Sequence, residues 1–110
     1  MEIHKKVLKN AIVVFVLIAA LSTTSVLAED KTFADVCSEC HTGGFKGWVS
    51  GAPNVKEKDK WQKFIERDSI TKMREIVLNG TDDHKRKGGC ETCSNSDVVD
   101  AIDYMMSLVK

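Results

Sequence analysis

The segment Cys37-Ser38-Glu39-Cys40-His41 decides the fold of this chain, because it brings two thiols and an imidazole together within a short stretch. Side chains three positions apart lie on the same side of a helix, one turn from each other. The adjacent histidine then lies beside the second thiol. This spacing suits the attachment of a flat macrocycle by one edge, with its metal ion bound from one face.

Cys-x-x-Cys-His is the attachment signature of c-type haem. Cys37 and Cys40 would each add to one vinyl group of the haem, and His41 would bind the iron as the proximal ligand. The sequence therefore predicts one haem c, with its iron, per chain. A bound macrocycle would also provide apolar core that so small a domain lacks.

Two other interpretations of the cysteines remain open. Cys37 and Cys40 could hold a structural zinc together with Cys90 and Cys93, although the usual gap between such pairs is about 15–20 residues. A zinc site would also leave His41 unexplained. A thioredoxin-like dithiol at Cys37 and Cys40 would require a βαβ unit, and strand signals are nearly absent.

The N-terminal segment has the layout of a secretory signal. Lysines in Met1–Asn10 precede the uncharged run Ala11–Leu21, and small residues precede Ala28. We predict a signal peptide at 1–28, cleaved after Ala28, and an exported domain at 29–110 that has no membrane contact after cleavage. The alternative is an uncleaved anchor, but spanning a bilayer takes about 20 apolar residues.

Composition excludes some functions. The chain has 16 Lys and Arg against 16 Asp and Glu, so it lacks the strongly basic character that nucleic-acid binding requires. No recognisable motif combines paired carboxylates or a Ser-His-Asp set. We predict a protein that is not an enzyme and has no small-molecule substrate.

The periodicity of apolar residues predicts an all-α domain of about four helices with two long loops. A capping box at Thr32 and Asp35 would start the first helix, and Ser94 with Asp97 would start the last. Asp59 and Ser69 would cap the two middle helices, the second ending at Gly80. The glycine-rich stretch 42–58 and the stretch 81–93 are predicted loops.

From Thr32 to Lys110 the sequence resembles the class I c-type cytochromes, and within them the short periplasmic c-five type. Besides the haem motif, the matching pieces are Gly51-Ala52-Pro53, Leu78-Asn79-Gly80, Lys87-Gly88-Gly89-Cys90-Glu91-Thr92-Cys93-Ser94 and Tyr104-Met105. The resemblance implies a small class I cytochrome c fold, with its first and last helices crossing near Phe33 and Tyr104. It also implies electron transfer in the periplasm, and a Pro53 carbonyl that accepts a hydrogen bond from His41.

The sequence departs from the family pattern at the distal iron ligand. The family's methionine, just before the Lys-Gly-Gly block, is replaced in register by His84. We predict that His41 and His84 both bind the iron, which would lower its potential relative to methionine ligation. The alternatives are an open distal site suited to binding or sensing a small gas, or ligation by another residue of this chain: Met73, Met105, Met106, Lys85 or Lys87.

Cys90 and Cys93 lie in the loop before the last helix, and we predict a disulfide that stiffens it. A redox-active dithiol is the alternative. The basic run Lys85-Arg86-Lys87 could dock an acidic redox protein transiently near the haem edge, although such runs are more often solvated.

Overall fold

The computed structural model describes residues 28–110, and within them it contains helices and turns but no strand. Helix α1 is π-helical over Phe33–Cys37 and α-helical over Ser38–His41; α2 spans Gly44–Ser50, α3 Lys58–Asn79 and α4 Asn95–Val109, with a 3-10 turn at Arg86–Gly89. The predicted all-α class is confirmed. No helix within the described range is long and apolar enough to cross a bilayer. The predicted signal peptide falls on residues outside that range, apart from Ala28, and stays a prediction.

Helix α1 is capped by Asp30, and the predicted cap at Thr32 is wrong. The Asp30 carboxylate accepts a hydrogen bond from the amide of Phe33 at 2.8 Å, whereas Thr32 already has helical backbone angles. The Asp35 carboxylate pairs with Lys31 instead of completing a capping box. An acidic side chain at the start of the helix also complements the helix dipole.

Helix α2 lies inside the stretch that was predicted to be a loop. Gly47 is buried there, and a Cβ atom at this position would lie 2.8 Å from the carbonyl oxygen of Cys40. The glycine thus allows α2 to pack directly on the end of α1, which the glycine-rich composition alone did not indicate. The opposite side of α2 exposes Phe45, Trp48 and Val49.

The predicted second and third helices are the two halves of α3, which bends at Ser69. Glu57, not Asp59, is the residue that precedes the helix; Asp59 lies within its first turn. Ser69 has φ 66° and ψ 160°, and its hydroxyl accepts a hydrogen bond from the amide of Lys72 at 3.3 Å. The predicted cap at Ser69 is therefore confirmed, as is the helix end at Gly80, whose φ is 76°.

Ser69→Gly is expected to stabilise the domain. Ser69 occupies a region of backbone space that is essentially reserved for glycine and costs other residues about 1–3 kcal/mol. Glycine adopts this conformation freely and caps helices almost as well as serine. Its greater conformational freedom in the unfolded state, however, lowers the unfolding free energy by roughly 0.4–1 kcal/mol. We expect a net gain of about 1 kcal/mol in unfolding free energy, measured by thermal denaturation. The control, Thr71→Gly in the helical turn that follows, should destabilise; equal losses in both variants would contradict the prediction.

Helix α4 supplies most of the core. Its predicted capping box is confirmed, because the Ser94 hydroxyl accepts from the Asp97 amide at 3.0 Å and the Asp97 carboxylate from the Ser94 amide at 3.1 Å. The predicted contact between the first and last helices is also confirmed: the rings of Phe33 and Tyr104 have centres 5.1 Å apart. The buried side chains of the described range are Phe33, Trp61, Val98, Ala101, Ile102, Met105, Met106 and Val109.

Candidate haem site

Helix α1 presents the two thiols of Cys37 and Cys40 on its last turns. Both are free and half-buried. Burial raises the pKa of the Cys37 thiol, and the negative charge of Asp30 raises it further. Redox-active dithiols depend on a lowered thiol pKa, so this environment disfavours the thioredoxin-like interpretation.

His41 ends α1 and is held in place by the loop that follows α2. Its Nδ1 lies 2.9 Å from the carbonyl oxygen of Pro53, and the amide of Val55 donates to the His41 carbonyl at 2.8 Å. A carbonyl oxygen only accepts, so Nδ1 carries the proton and Nε2 keeps its lone pair. Burial lowers the pKa of His41 although the hydrogen bond to Pro53 raises it, and repulsion from His84 lowers it further. The imidazole is thus kept neutral, which is the form that binds metals.

A cavity of about 160 Å³ opens beside His41. Its wall is mostly apolar and includes all three methionines of the described range that were considered as alternative ligands. Arg67 and Asp68 provide the charged part of the lining. The residues that line it are His41, Pro53, Trp61, Phe64, Arg67, Asp68, Met73, Ile76, Val77, His84, Ile102, Met105 and Met106.

His84 lines the same cavity as His41. The two imidazole rings have centres 6.3 Å apart and are inclined by only 20°. The Nδ1 of His84 lies 2.8 Å from the carbonyl oxygen of Lys85 and must donate to it, as Nδ1 of His41 donates to Pro53. Each histidine therefore has one nitrogen fixed by a backbone carbonyl and Nε2 left available.

Cys90 and Cys93 form a disulfide. Joined in this way they do not supply thiolates to a metal ion. Among residues 28–110 there is also no group of three or more His, Cys, Asp or Glu side chains placed to hold a metal ion. The zinc interpretation therefore lacks its ligand set.

The residues present fit a c-type haem. Two free thiols one helical turn apart lie on the helix that ends at His41, and both His41 and His84 line a mostly apolar cavity. This donor set is typical of low-spin haem iron. An all-α domain with such a site defines a class I c-type cytochrome. The family model described as cytochrome c oxidase, cbb3-type, subunit III matches residues 26–105, and the chain belongs to this family.

Membership of the family implies a c-type haem with its iron and a role in electron transfer. No curated protein and no solved structure matches the chain. The resemblance to the c-five type within the class stays a prediction.

Two parts of the site were not foreseen from the sequence. Trp61 packs beside His41 with ring centres 5.5 Å apart, and its Nε1 donates to the Asn54 carbonyl at 2.9 Å. The carbonyl of Lys85 that fixes His84 belongs to the backbone, so no side-chain pattern could reveal it. For Trp61 the sequence did offer a signal: a tryptophan three positions before a phenylalanine on an otherwise charged helix.

Proposed function

We propose that this protein is a periplasmic carrier of single electrons, with one haem attached through Cys37 and Cys40 and bound by His41 and His84. When bound, the haem provides an iron that alternates between the ferrous and ferric states. The chain's own part is to hold the two imidazoles, exclude water from the cavity and set the potential.

The arrangement of the two histidines carries the proposal. An imidazole nitrogen binds a metal ion at about 2.0–2.1 Å, so two rings on opposite sides of one ion have their centres roughly 6 Å apart. The observed separation is 6.3 Å. Because both Nδ1 atoms donate to backbone carbonyls, both rings offer the same nitrogen. Such bonds to the outer nitrogen orient a ligating ring and raise its basicity.

The gas-binding alternative requires a vacant distal position. His84 is half-buried and lines the same cavity as His41, which argues for electron transfer instead. If His41 and His84 both bound the iron, a small gas could bind only after one of them had left.

Partners are proposed to be redox proteins that dock transiently. Lys85 and Arg86 follow His84 directly and are exposed, and they offer positive charge near the distal side of the site. An acidic partner would be steered there at a rate that falls as ionic strength rises. Export to the periplasm rests on the predicted signal peptide and on the resemblance to exported cytochromes.

His84→Ala is expected to change the spin state of the haem protein. The wild type, produced in a host that matures c-type cytochromes, should be low-spin in both oxidation states and lack the weak far-red band of methionine ligation. The variant should be high-spin, and added imidazole should restore the low-spin spectrum. Lys85→Ala, which alters the neighbouring side chain and keeps the backbone carbonyl, is the matched control and should resemble the wild type. Identical spectra for the wild type and His84→Ala would rule out His84 as the distal ligand.

A further inference from the structure

The backbone at His84 is fixed by a tight turn that follows α3. The amide of Thr81 donates to the His84 carbonyl at 2.8 Å, and the amide of His84 donates back at 3.3 Å. The Thr81 hydroxyl also accepts from the amides of His84, at 3.1 Å, and Asp83, at 3.2 Å. These bonds place the Cα of His84 but do not orient its ring.

The ring of His84 is oriented from the other side, by residues that follow it. The Lys85 carbonyl accepts from His84 Nδ1 at 2.8 Å and from the Gly88 amide at 3.0 Å. A peptide that accepts both bonds cannot rotate without breaking one of them. The direction of the ring therefore depends on the turn that runs from Lys85 to Gly88.

This turn continues into two more that end at the disulfide. The Cys90 amide donates to the Lys87 carbonyl at 3.1 Å, and the Cys93 amide to the Cys90 carbonyl at 3.4 Å. The Lys87 ammonium group donates to the Cys93 carbonyl at 2.8 Å, which joins the first of these turns to the last. Lys87 has φ 53°, a left-handed conformation that a lysine adopts only when its surroundings hold it there.

The segment from Lys85 to Cys93 packs closely against the rest of the fold at two glycines, Gly88 within the segment and Gly80 at the end of α3. A Cβ atom on Gly88 would lie 3.1 Å from Val36 of α1, and one on Gly80 would lie 2.9 Å from the Arg86 amide. The turns from Lys85 to Cys93 are thus packed against α1 and the end of α3. A change inside them cannot be absorbed by free movement of a loop.

We propose that Lys87 and the Cys90–Cys93 disulfide are positioning residues for His84: they hold the turns that fix the Lys85 carbonyl, and through it the His84 ring. This inference rests on the proposed role of His84 as distal ligand. Lys87, Cys90 and Cys93 are not among the residues that line the cavity beside His41. Their effect is on the fraction of molecules in which His84 is away from the iron, and hence on the access of an added ligand.

The test measures carbon monoxide binding to the reduced haem protein, because carbon monoxide binds only when His84 is displaced. Lys87→Met keeps the disulfide and removes the bond to Cys93, whereas Cys90→Ser with Cys93→Ser removes the disulfide. Lys85→Met is the matched control, since it removes the same charge from an exposed side chain two residues away. His84→Ala gives the rate for a fully open site, and circular dichroism establishes that each variant is folded.

We expect the carbon monoxide association rate to rise roughly threefold to tenfold in Lys87→Met and by about tenfold or more in the disulfide variant, since a weakened restraint raises the displaced fraction by that factor. Lys85→Met should bind at the wild-type rate. Wild-type rates in both Lys87→Met and the disulfide variant, with a fast His84→Ala, would overturn the positioning role and leave the ligand role intact. A His84→Ala protein no faster than wild type would overturn the proposed ligation itself.

Discussion

Replacing Cys37 and Cys40 together by alanine should yield a chain without covalent haem and without a stable fold. The buried side chains of the described range form one small cluster, mostly from α4, and the cavity beside it is apolar. Domains of this size are only marginally stable without a cofactor or another staple. The variant is expected to show no haem stain after denaturing electrophoresis and to have lost most of its helical circular dichroism at 25 °C.

Cys90→Ser with Cys93→Ser is the control for this loss, because it also removes two sulfur atoms. These residues lie beyond the attachment helix and are joined to each other. A disulfide that closes so short a loop contributes at the low end of about 2–4 kcal/mol. The control should therefore keep its covalent haem and its helices. Haem stain retained by the Cys37 and Cys40 variant would show that attachment does not depend on these thiols.

Trp61→Ala should have the second largest effect, a loss of about 3–5 kcal/mol in unfolding free energy. The Trp61 side chain is 4% exposed, lines the cavity and packs against Phe64 and His41. Its removal would leave a hole beside His41, and the Asn54 carbonyl would keep only the hydrogen bond that it accepts from the Glu57 amide at 2.9 Å. Chemical denaturation of the haem protein measures the loss.

Trp61→Phe distinguishes the contribution of ring packing from that of the hydrogen bond to the Asn54 carbonyl. Phenylalanine keeps most of the apolar volume and loses only the donation to Asn54, so we expect a loss of roughly 1–2 kcal/mol. Gln62→Ala changes an adjacent exposed residue. Apart from the loss of the hydrogen bond from Gln62 to the Val109 carbonyl, it should change the unfolding free energy by less than about 0.5 kcal/mol. Similar losses for Trp61→Ala and Gln62→Ala would mean that Trp61 does not support the core.

Local sequence signals predicted helix ends correctly where one residue both adopts a non-helical backbone conformation and takes part in a capping hydrogen bond. Ser94 with Asp97, Ser69 and Gly80 fall in this group. The same reasoning was wrong at Thr32, because Asp30 lies two residues earlier and its carboxylate reaches the Phe33 amide first. Which of two neighbouring residues caps the helix depends on where the first helical turn begins. The packing of Phe33 against α4 helps to fix that position.

The prediction of a loop over 42–58 is wrong at Gly44–Ser50 for a related reason. The glycines of this stretch indicate a loop when each is considered alone. Gly47, however, is required by the close approach of α2 to the Cys40 carbonyl, and it sits inside a helix. Composition does not distinguish a glycine that ends a helix from one that lets two helices touch.

The sequence by itself predicted the attachment of haem, because thiols and imidazole at fixed spacing in one helix need no distant partner to be recognised. It also determined the helical class through the period of its apolar residues. Only the tertiary structure decided that His84 and His41 line one cavity with their rings 6.3 Å apart, and that the carbonyls of Pro53 and Lys85 hold the two rings. Those relations join segments far apart in the chain, or backbone atoms that every residue shares, and they exist only once α1, α3 and α4 have packed.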